Sequence, residues 1–375
     1  MTCISTSKNI DLFTSAESWI EGESLRQLDR VAVLPGMVRV AGFPDLHPGK
    51  GAPIGAAMLS KGEFYPYLVG SDVGCGMGLF STELSVAKAK PEKWSKKLKG
   101  LEDPWNGDTA TWLEERGALP DGYLSAVGTI GKGNHFTELL RVETIQDTDA
   151  FKSLGINADT LFLLVHSGSR GLGEALLRKH TERFRDGSLE GGSDEAVSYL
   201  AGHDNALAWA CASRELIAFR FLEQLDSGYD IVTDLSHNSI TPLKINGVNH
   251  YLHRKGAVPS DRGAAIVPGS RGSCSYLVLP TGKQEHNLWS LAHGAGRKWN
   301  RTECKGRLRE RYSAESLLKT KLGSYIICED KDLLYEEAPQ AYKNIETVIN
   351  DMLSFGLIRV IATFSPLLTY KVRER

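Results

Sequence analysis

The sequence predicts an α+β fold, and three features carry that prediction. Apolar runs of strand length recur along the chain, a long stretch over residues 193–226 has helical spacing, and the two kinds do not alternate regularly. Regular alternation marks βαβ units and a parallel sheet, whereas irregular succession builds mixed sheets flanked by helices. At 375 residues the chain can form two domains or one large one, and no fixed-period repeat or low-complexity linker divides it.

In chain order, residues 1–30 read as a short strand or loop and then a helix over 15–28. Residues 31–34 are an apolar run closed by Pro35-Gly36, with 37–40 following. Segment 43–55 holds too much Gly and Pro for regular structure. Residues 64–69 and 79–84 are predicted strands on either side of a glycine-rich run. Residues 88–124 are polar, with Lys-rich helical stretches and an irregular part over 105–111. The five apolar residues 161–165 predict a buried strand. Ser193 or Asp194 can cap the long helix, in which Val197, Leu200, Leu207, Cys211, Leu216, Phe219 and Leu222 follow mostly at helical spacing. Residues 229–235, 263–267 and 276–279 predict strands. A late helix begins near Pro339 and carries Tyr342, Ile345, Ile349, Met352 and Leu353. Residues 357–363 read as a strand, and the tail 366–375 ends basic.

Composition narrows the function. With 41% hydrophobic and 24% charged residues the chain has a globular balance, and a net charge of −2 excludes a generic polyanion binder. Any nucleic-acid surface must be a local patch. The six cysteines (3, 75, 211, 274, 304, 328) are scattered without a Cys-x-x-Cys pair, which argues against a zinc knuckle or disulfide framework and for a reducing compartment. Residues 1–15 lack the apolar core of a signal peptide and no apolar run approaches membrane-spanning length, so a soluble cytoplasmic protein is expected.

The chemistry gathers around Leu68-Val69-Gly70-Ser71-Asp72-Val73-Gly74-Cys75-Gly76-Met77-Gly78. Glycine permits close backbone approach and positive φ, so this run reads as neither helix nor strand. It holds a carboxylate and a thiol on what the composition suggests is an exposed, sharply turning backbone. A hard ligand beside a thiolate able to bridge two ions begins a metal site. The plainer alternative is a Gly-rich turn with a buried free cysteine.

Histidines shift that balance. Of ten, four sit in small-residue settings: Gly133-Asn134-His135-Phe136, His166-Ser167-Gly168-Ser169-Arg170-Gly171, Ser236-His237-Asn238 and His293-Gly294-Ala295-Gly296-Arg297. One such histidine is more often a satisfied polar residue than a ligand. Four at the ends of elements mark the places where active sites are built. With Asp72 and Cys75, three of them make a natural dinuclear site with a bridging thiolate. His180, His203, His250, His253 and His286 read as structural or surface residues, and His47 as structural or as a support to the ligands.

Two further segments suit phosphate. Pro268-Gly269-Ser270-Arg271-Gly272-Ser273 offers backbone N–H groups, hydroxyls and a guanidinium, although any Pro-Gly-Ser turn looks similar. Residues 297–311 hold seven basic residues against two acidic ones, with Trp299 among them. They form either a solvated helix face or a polyanion track beside His293.

Ser71-Asp72-Val73-Gly74-Cys75-Gly76, Gly133-Asn134-His135-Phe136, His166-Ser167-Gly168-Ser169-Arg170-Gly171, Ser236-His237-Asn238, Pro268-Gly269-Ser270-x-Gly272-Ser273 and His293-Gly294-Ala295-Gly296-Arg297 occur in the order seen in the RtcB family of RNA ligases. Upstream, Pro44-Asp45-Leu46-His47-Pro48-Gly49-Lys50-Gly51 also resembles that family, and the resemblance runs from about residue 31 to the C-terminus. It implies a single RtcB-like catalytic domain over 1–375, with mixed sheets around a central dinuclear metal and nucleotide pocket. It also implies an enzyme that joins an RNA 3′-phosphate or 2′,3′-cyclic phosphate end to a 5′-hydroxyl end, using GTP and two Mn²⁺ ions.

By resemblance, Asp72, Cys75 and His135 bind one manganese, and Cys75, His166 and His237 bind the other. His293 is the histidine that becomes guanylylated. Asn134, Glu138, Asn238, Pro268, Gly269, Ser270, Arg271, Ser275, Gly294, Ala295, Gly296 and Lys371 correspond to the nucleotide pocket, together with His135, His237 and His293. RNA is the implied partner, with no membrane, and an activating protein partner is left open. Ligand type alone suits zinc as well as manganese; manganese comes from the resemblance.

The chemistry fits this assignment. Guanylylation needs an unprotonated nitrogen nucleophile, which imidazole supplies near neutral pH, and the glycines after His293 let backbone approach phosphate. Glu138 can select guanine by accepting from N1–H and N2–H₂, a pattern adenine does not match. The chain also departs from the family. Lys298-Trp299-Asn300-Arg301 replaces a Met-Ser-Arg-like stretch, Arg271 stands where members often carry Met, and the tail around Lys371 differs. It is shorter than many members. Such changes suit a paralogue specialised for repairing a particular broken RNA. The competing function is a metal-dependent RNA-end phosphoesterase, which needs no guanylylated histidine. A non-catalytic binder would not need all six metal and nucleophile residues, and a zinc-stabilised structural protein would want paired cysteines.

Overall fold

The computed structural model describes residues 4–7 and 9–373. Cys3, the start of the segment lacking a signal-peptide core, and the last two residues of the basic tail lie outside that range. Among the described residues, a six-stranded sheet has the order Ile4–Ser7, Ile10–Leu12, Met37–His47, Ile54–Lys61, Val248–Lys255, Asn238–Ile245. An eight-stranded sheet follows the path Tyr229–Ser236, Gly76–Ser85, Thr160–Ser167, Phe136–Ile145, Ile358–Val372, Ser275–Pro280, Ala265–Val267. Tyr325–Cys328 adds to Ile358–Val372 in parallel. Antiparallel and parallel pairs coexist and helices lie against the sheets, as the α+β expectation requires. No helix among the described residues is long and apolar enough to cross a membrane.

Strong periodicity locates its elements well. The long helix is Asp194–Glu223, opened by Ser193, whose hydroxyl accepts from the Ala196 N–H. At 1.5 Å per residue it runs about 45 Å along the eight-stranded sheet. Residues 161–165 form the buried centre of Thr160–Ser167. Phe80, Leu139, Leu161, Leu163, Val165, Ile217 and Phe221 fill the space between this sheet and the helix. Each such side chain contributes roughly 1.5–3 kcal/mol by leaving water, which makes the sheet a firm base for the loops at its end.

Other stretches depart from expectation, each for a local reason. Residues 64–69 are not a strand: Pro66 opens a 3₁₀ turn over Pro66–Leu68, where its missing N–H costs nothing, and only Glu63–Phe64 pairs. Segment 43–55 is less irregular than its Gly and Pro content suggests. Met37–His47 continues through Pro44 because the ladder is interrupted between Gly42 and His47, so no donor is needed there. The first helix is Gly22–Ala32, later than expected, with Val31 and Ala32 on its buried face. The late helix is Ile345–Ser354, capped by Asn344, and Pro339 belongs to a separate 3₁₀ turn. The glycine-rich run is exposed only at Ser71 and is buried from Val73 onward, and Gly76 and Gly78 lie in the strand Gly76–Ser85. A Cβ on Gly76 would come within 2.5 Å of the Leu235 carbonyl oxygen, so only glycine admits the neighbouring strand.

Candidate active site

Four adjacent strands of the larger sheet bring their ends to one rung. Gly76 pairs with Ser167 on one side and Ser236 on the other, while Phe136 pairs with His166. The residues at or beside this rung are Cys75, His166, His237 and His135. Ladder register thus collects ligand-type side chains from four distant parts of the sequence.

Cys75 Sγ lies 3.2 Å from His166 Nε2 and 3.5 Å from His135 Nε2. Asp72 Oδ2 lies 2.9 Å from the same His135 nitrogen. One ligand atom from each of Cys75, His135 and His166 falls within 4.8 Å of the others. The His237 ring is centred 5.3 Å from that of His166 and 4.7 Å from that of His293. His166 Nδ1–H donates to the Asn134 carbonyl at 3.1 Å, which leaves the Nε2 lone pair free toward Cys75.

The electrostatics fit a cation. Asp72 Oδ1 and His237 Nδ1 are buried without a hydrogen-bond partner. Such orphaned atoms are costly, and they belong to residues beside the thiol and imidazole groups that divalent ions prefer. Burial pushes His166 and His237 well below the ordinary imidazole range, so both rings are neutral. Burial, with Asp72 adding to it, pushes the Cys75 thiol well up, so ion binding must release a proton.

Arg170 braces the cluster from outside. Its Nη1 donates to His135 Nδ1 at 3.1 Å. Its backbone has φ 58°, a strained conformation for a non-glycine residue, at the head of Gly171–Phe184. A Cβ on Gly131 would overlap this guanidinium, which is why that position is glycine.

The second group centres on His293. Its Nδ1 lies 2.5 Å from Asp45 Oδ2, and its backbone N–H donates to the same oxygen at 3.1 Å. Asp45 is fully buried. A carboxylate there holds the ring proton on Nδ1 and leaves the Nε2 lone pair free. Lys343 Nζ donates to the carbonyls of Pro44 and Leu46 at 3.0 and 2.6 Å, fixing Asp45 from both sides. Gly296 has φ 71°, and a Cβ there would overlap the Asp45 backbone.

A cavity of about 1080 Å³ joins the two groups. Its wall includes Asp72, Cys75, His166, His237 and His293, and also Asn134, Glu138, Asn238, Pro268, Gly269, Ser270, Arg271, Gly294, Ala295, Gly296 and Lys371. His47 lines it too, its Nδ1 bonded to the Asp45 carbonyl and burial pushing its pKa down to about 3. His135 stands behind this wall in contact with Cys75, and Ser275 is buried in the sheet opposite Phe364. Asn238 is engaged in the fold: its amide donates to the Asp72 carbonyl and accepts from the Gly256 N–H. Toward Lys371, burial pushes the Glu138 carboxyl up to about 7, against a hydrogen bond from Thr369 and the charge of Lys371.

Four of the seven basic residues in segment 297–311 are held in ion pairs with residues outside it. Arg297 and Arg301 pair with buried Glu337, and Lys305 and Arg309 pair with Asp332. Trp299 lies between Lys298 and Arg307. Much of this charge therefore serves the fold rather than a free track. Of the remaining histidines, His203 and His253 are fully buried and accept backbone N–H bonds from Ile240 and Tyr65, a structural role as expected.

Sequence reasoning passed over Asp45, Arg214, Lys255 and Glu337. Asp45 sits inside a motif already singled out by its Pro and Gly content. Arg214 is a charged residue on the otherwise apolar face marked by Ala210, Ile217 and Phe221, and that mismatch was a usable signal. Lys255 lines the cavity, donates to the carbonyls of Lys50 and Ala52, and is pushed down to about 8 by burial.

Comparison with known proteins is consistent along nearly the whole chain. A family model described as tRNA-splicing ligase RtcB matches residues 27–116 and 116–372. The RNA-splicing ligase RtcB2 of Escherichia coli ATCC 25922 is 48% identical over 362 residues, covering 95% of this chain and 94% of that protein. The tRNA-splicing ligase RtcB of Methanococcus maripaludis is 28% identical, covering 93% and 91% respectively. The RNA-splicing ligase RtcB of Escherichia coli K12 is 26% identical, covering 94% and 95%.

Proposed function

Because this chain belongs to the RtcB family, we propose that it is a GTP-dependent RNA ligase in which His293 carries GMP. It joins an RNA 3′-phosphate or 2′,3′-cyclic phosphate end to a 5′-hydroxyl end and serves RNA repair, with the whole chain acting as one catalytic unit. The observation that carries this reading is the placement of His293. A buried carboxylate fixes its tautomer, and its ring neighbours that of His237 in the same cavity as the Cys75 cluster.

The donor set fits two divalent cations: Asp72, Cys75 and His135 would hold one, and Cys75, His166 and His237 the other. Bound Mn²⁺ supplies charge neutralisation at phosphate oxygens. The chain's own residues do the rest. Asp45 keeps the His293 proton on Nδ1, so the Nε2 lone pair attacks the α-phosphorus of GTP. A P–N bond forms, the bond to the β-phosphate oxygen breaks, and pyrophosphate leaves. A cyclic phosphate is opened by water to a 3′-phosphate. An oxygen of that phosphate attacks the same phosphorus, the P–N bond breaks, and GMP passes to the RNA. The 5′-hydroxyl then attacks the RNA phosphate and GMP departs.

Asn134 and the Pro268–Ser270 turn position the nucleotide, and Gly294, Ala295 and Gly296 bring backbone close to phosphate. Glu138 accepts from the guanine N1–H and N2–H₂, and Lys371 stands beside it. Positioning and fixed charge supply most of the rate enhancement.

The test is end joining with defined RNAs. Protein, Mn²⁺ and GTP are expected to convert a 2′,3′-cyclic-phosphate end and a 5′-hydroxyl end into one strand, with ATP failing to substitute. Hydrolysis of the cyclic end without any joined product would overturn the ligase reading.

A further inference from the structure

His47 is a buried imidazole with one nitrogen committed and the other unspent. It is 7% exposed, and its ring forms part of the cavity wall. Nδ1–H donates to the Asp45 carbonyl at 2.8 Å, so the lone pair lies on Nε2. Among the described residues nothing bonds to Nε2, and it is not one of the sealed polar atoms of this region, which include Asp45 Oδ1, Asp72 Oδ1 and His237 Nδ1. An acceptor therefore opens onto the space where the reaction takes place. Burial pushes the ring's pKa down to about 3, so it is neutral near pH 7 and accepts a hydrogen bond without taking the proton.

The backbone presents this nitrogen rigidly. His47 pairs with Ile54 across the ladder, and Lys343 holds the carbonyls of Pro44 and Leu46 just before it. Just after it, the Gln27 side chain closes on Gly49, donating to the carbonyl at 2.8 Å and accepting from the N–H at 3.1 Å. A Cβ on Gly49 would come within 2.3 Å of the Ala52 carbonyl oxygen, so glycine keeps this loop tight. Support of this kind holds a side chain to the narrow geometry that a reacting group needs.

The reaction narrows what Nε2 meets. A neutral acceptor suits an uncharged donor, and the oxygen donors of RNA and GTP are hydroxyls. When GMP leaves the RNA phosphorus, the 5′-hydroxyl must attack in line with the departing oxygen and from the other side. Segment 47–51 lies outside the residues that correspond to the nucleotide pocket, yet His47, Lys50 and Gly51 line the same cavity. The Tyr67 ring, within 3.6 Å of where a Cβ on Gly51 would stand, lines it too. Lys50 and Tyr67 are a cation and an aromatic face of the kind that hold the phosphate and base of a strand end.

We propose that His47 Nε2 accepts a hydrogen bond from the 5′-hydroxyl of the incoming RNA strand and aims its oxygen at the activated phosphorus. This rests on the ligase reading above and gives its last step a residue. In that step the hydroxyl oxygen bonds to phosphorus, the bond from phosphorus to the GMP oxygen breaks, and the hydroxyl proton passes to water.

The test starts from RNA whose 3′ end already carries GMP through a pyrophosphate bond, so that His293 is not required. Single-turnover sealing to a 5′-hydroxyl strand with Mn²⁺ is compared for the full chain, His47→Asn and His47→Gln, with melting curves to confirm folding. Asparagine keeps a donor for the Asp45 carbonyl but puts no acceptor at the Nε2 position, and glutamine restores one there. At saturating 5′-hydroxyl strand H47N is expected to seal about tenfold more slowly, the worth of one hydrogen bond, and H47Q within about threefold of the parent. A ribose hydroxyl of GTP is the other source of the same chemistry, so label transfer to the protein is run with GTP, 2′-deoxy-GTP and 3′-deoxy-GTP. Sealing by H47N at the parent's rate, or sealing by H47Q as slow as that of H47N, would overturn the proposal. So would a labelling defect of H47N with GTP that disappears with either deoxy analogue. A parent that seals no activated end would instead sink the ligase reading and this inference with it. Should H47N fail to fold, His47→Met, which fills the space and offers neither nitrogen, is read in its place.

Discussion

Replacing Arg214 with methionine tests how the Cys75 cluster is held. Arg214 is fully buried in the helix Asp194–Glu223. Its guanidinium donates to the Gly74 carbonyl at 2.7 Å, the Ser167 carbonyl at 2.9 Å and Asp234 Oδ1 at 2.7 Å. Cys211 Sγ and the Ser236 hydroxyl complete its contacts. Gly74 precedes Cys75, Ser167 follows His166, and Ser236 precedes His237, so a single side chain ties together three strand ends that bear candidate ligands. Although burial works against the charge, the Asp234 carboxylate holds Arg214 above its ordinary pKa. Methionine keeps much of the length but none of the donors. It leaves Asp234 as an uncompensated buried charge, and breaking a buried pair in this way costs about 3–5 kcal/mol. An unfolding entropy of about 2.1 cal/mol/K per residue turns that cost into a drop of about 5 °C in Tm for a chain of 375 residues. Slackened ligands should also weaken Mn²⁺ binding by about 10–100-fold, as loss of a supporting partner does. Thermal melts and calorimetric Mn²⁺ titration measure both. A variant that melts within about 1 °C of the parent and binds Mn²⁺ equally well would refute this reasoning.

Three other outcomes are expected. Asp45→Asn removes the charge that holds the His293 proton on Nδ1, and single-turnover guanylylation should slow by at least about 100-fold; an unchanged rate would remove Asp45 from the mechanism. GTP affinity should be flat above pH 7 and fall about tenfold per unit below it, because only ionised Glu138, flanked by Lys371 and Arg271, accepts both guanine donors. The same raised pKa means that the folded chain holds a proton the unfolded chain has lost, so Glu138 costs stability as pH rises from the ordinary carboxylate range through about 7. A Glu138→Gln variant should abolish the slope in a pH series of calorimetric titrations. Cys75→Ser should eliminate thiolate-to-metal absorption in the Co²⁺-substituted protein and lower the number of ions bound. A spectrum unchanged by the substitution would show that Cys75 is not a ligand.

The candidate ligand set was legible because its neighbours are so small. Glycine and serine around His135, His166, His237 and His293 left each histidine as the chief chemical group in its segment, at the end of an apolar run that could be recognised as a strand. What the sequence could not supply was register. Cys75, His135, His166 and His237 meet because Gly76 pairs with both Ser167 and Ser236, a fact set by long-range packing. Asp45 was hidden for the same reason, since its partner His293 lies 248 residues away. Local errors had local causes. Pro66 turned an apolar run into a 3₁₀ turn, and glycine at 76 and 78 marked close strand approach rather than an exposed loop. The basic run 297–311 read equally well as a solvated helix face or a polyanion track because charge counting does not see Glu337 and Asp332, which pair with four of its cations.

The central claim is that His293 becomes covalently guanylylated, and label transfer tests it most directly. Folded, Mn²⁺-loaded protein is incubated with [α-³²P]GTP, beside His293→Ala and an [α-³²P]ATP control. The account predicts acid-labile label on the unmodified chain with GTP alone, and none on H293A. Absence of label on the unmodified chain, or label that survives in H293A, would contradict it.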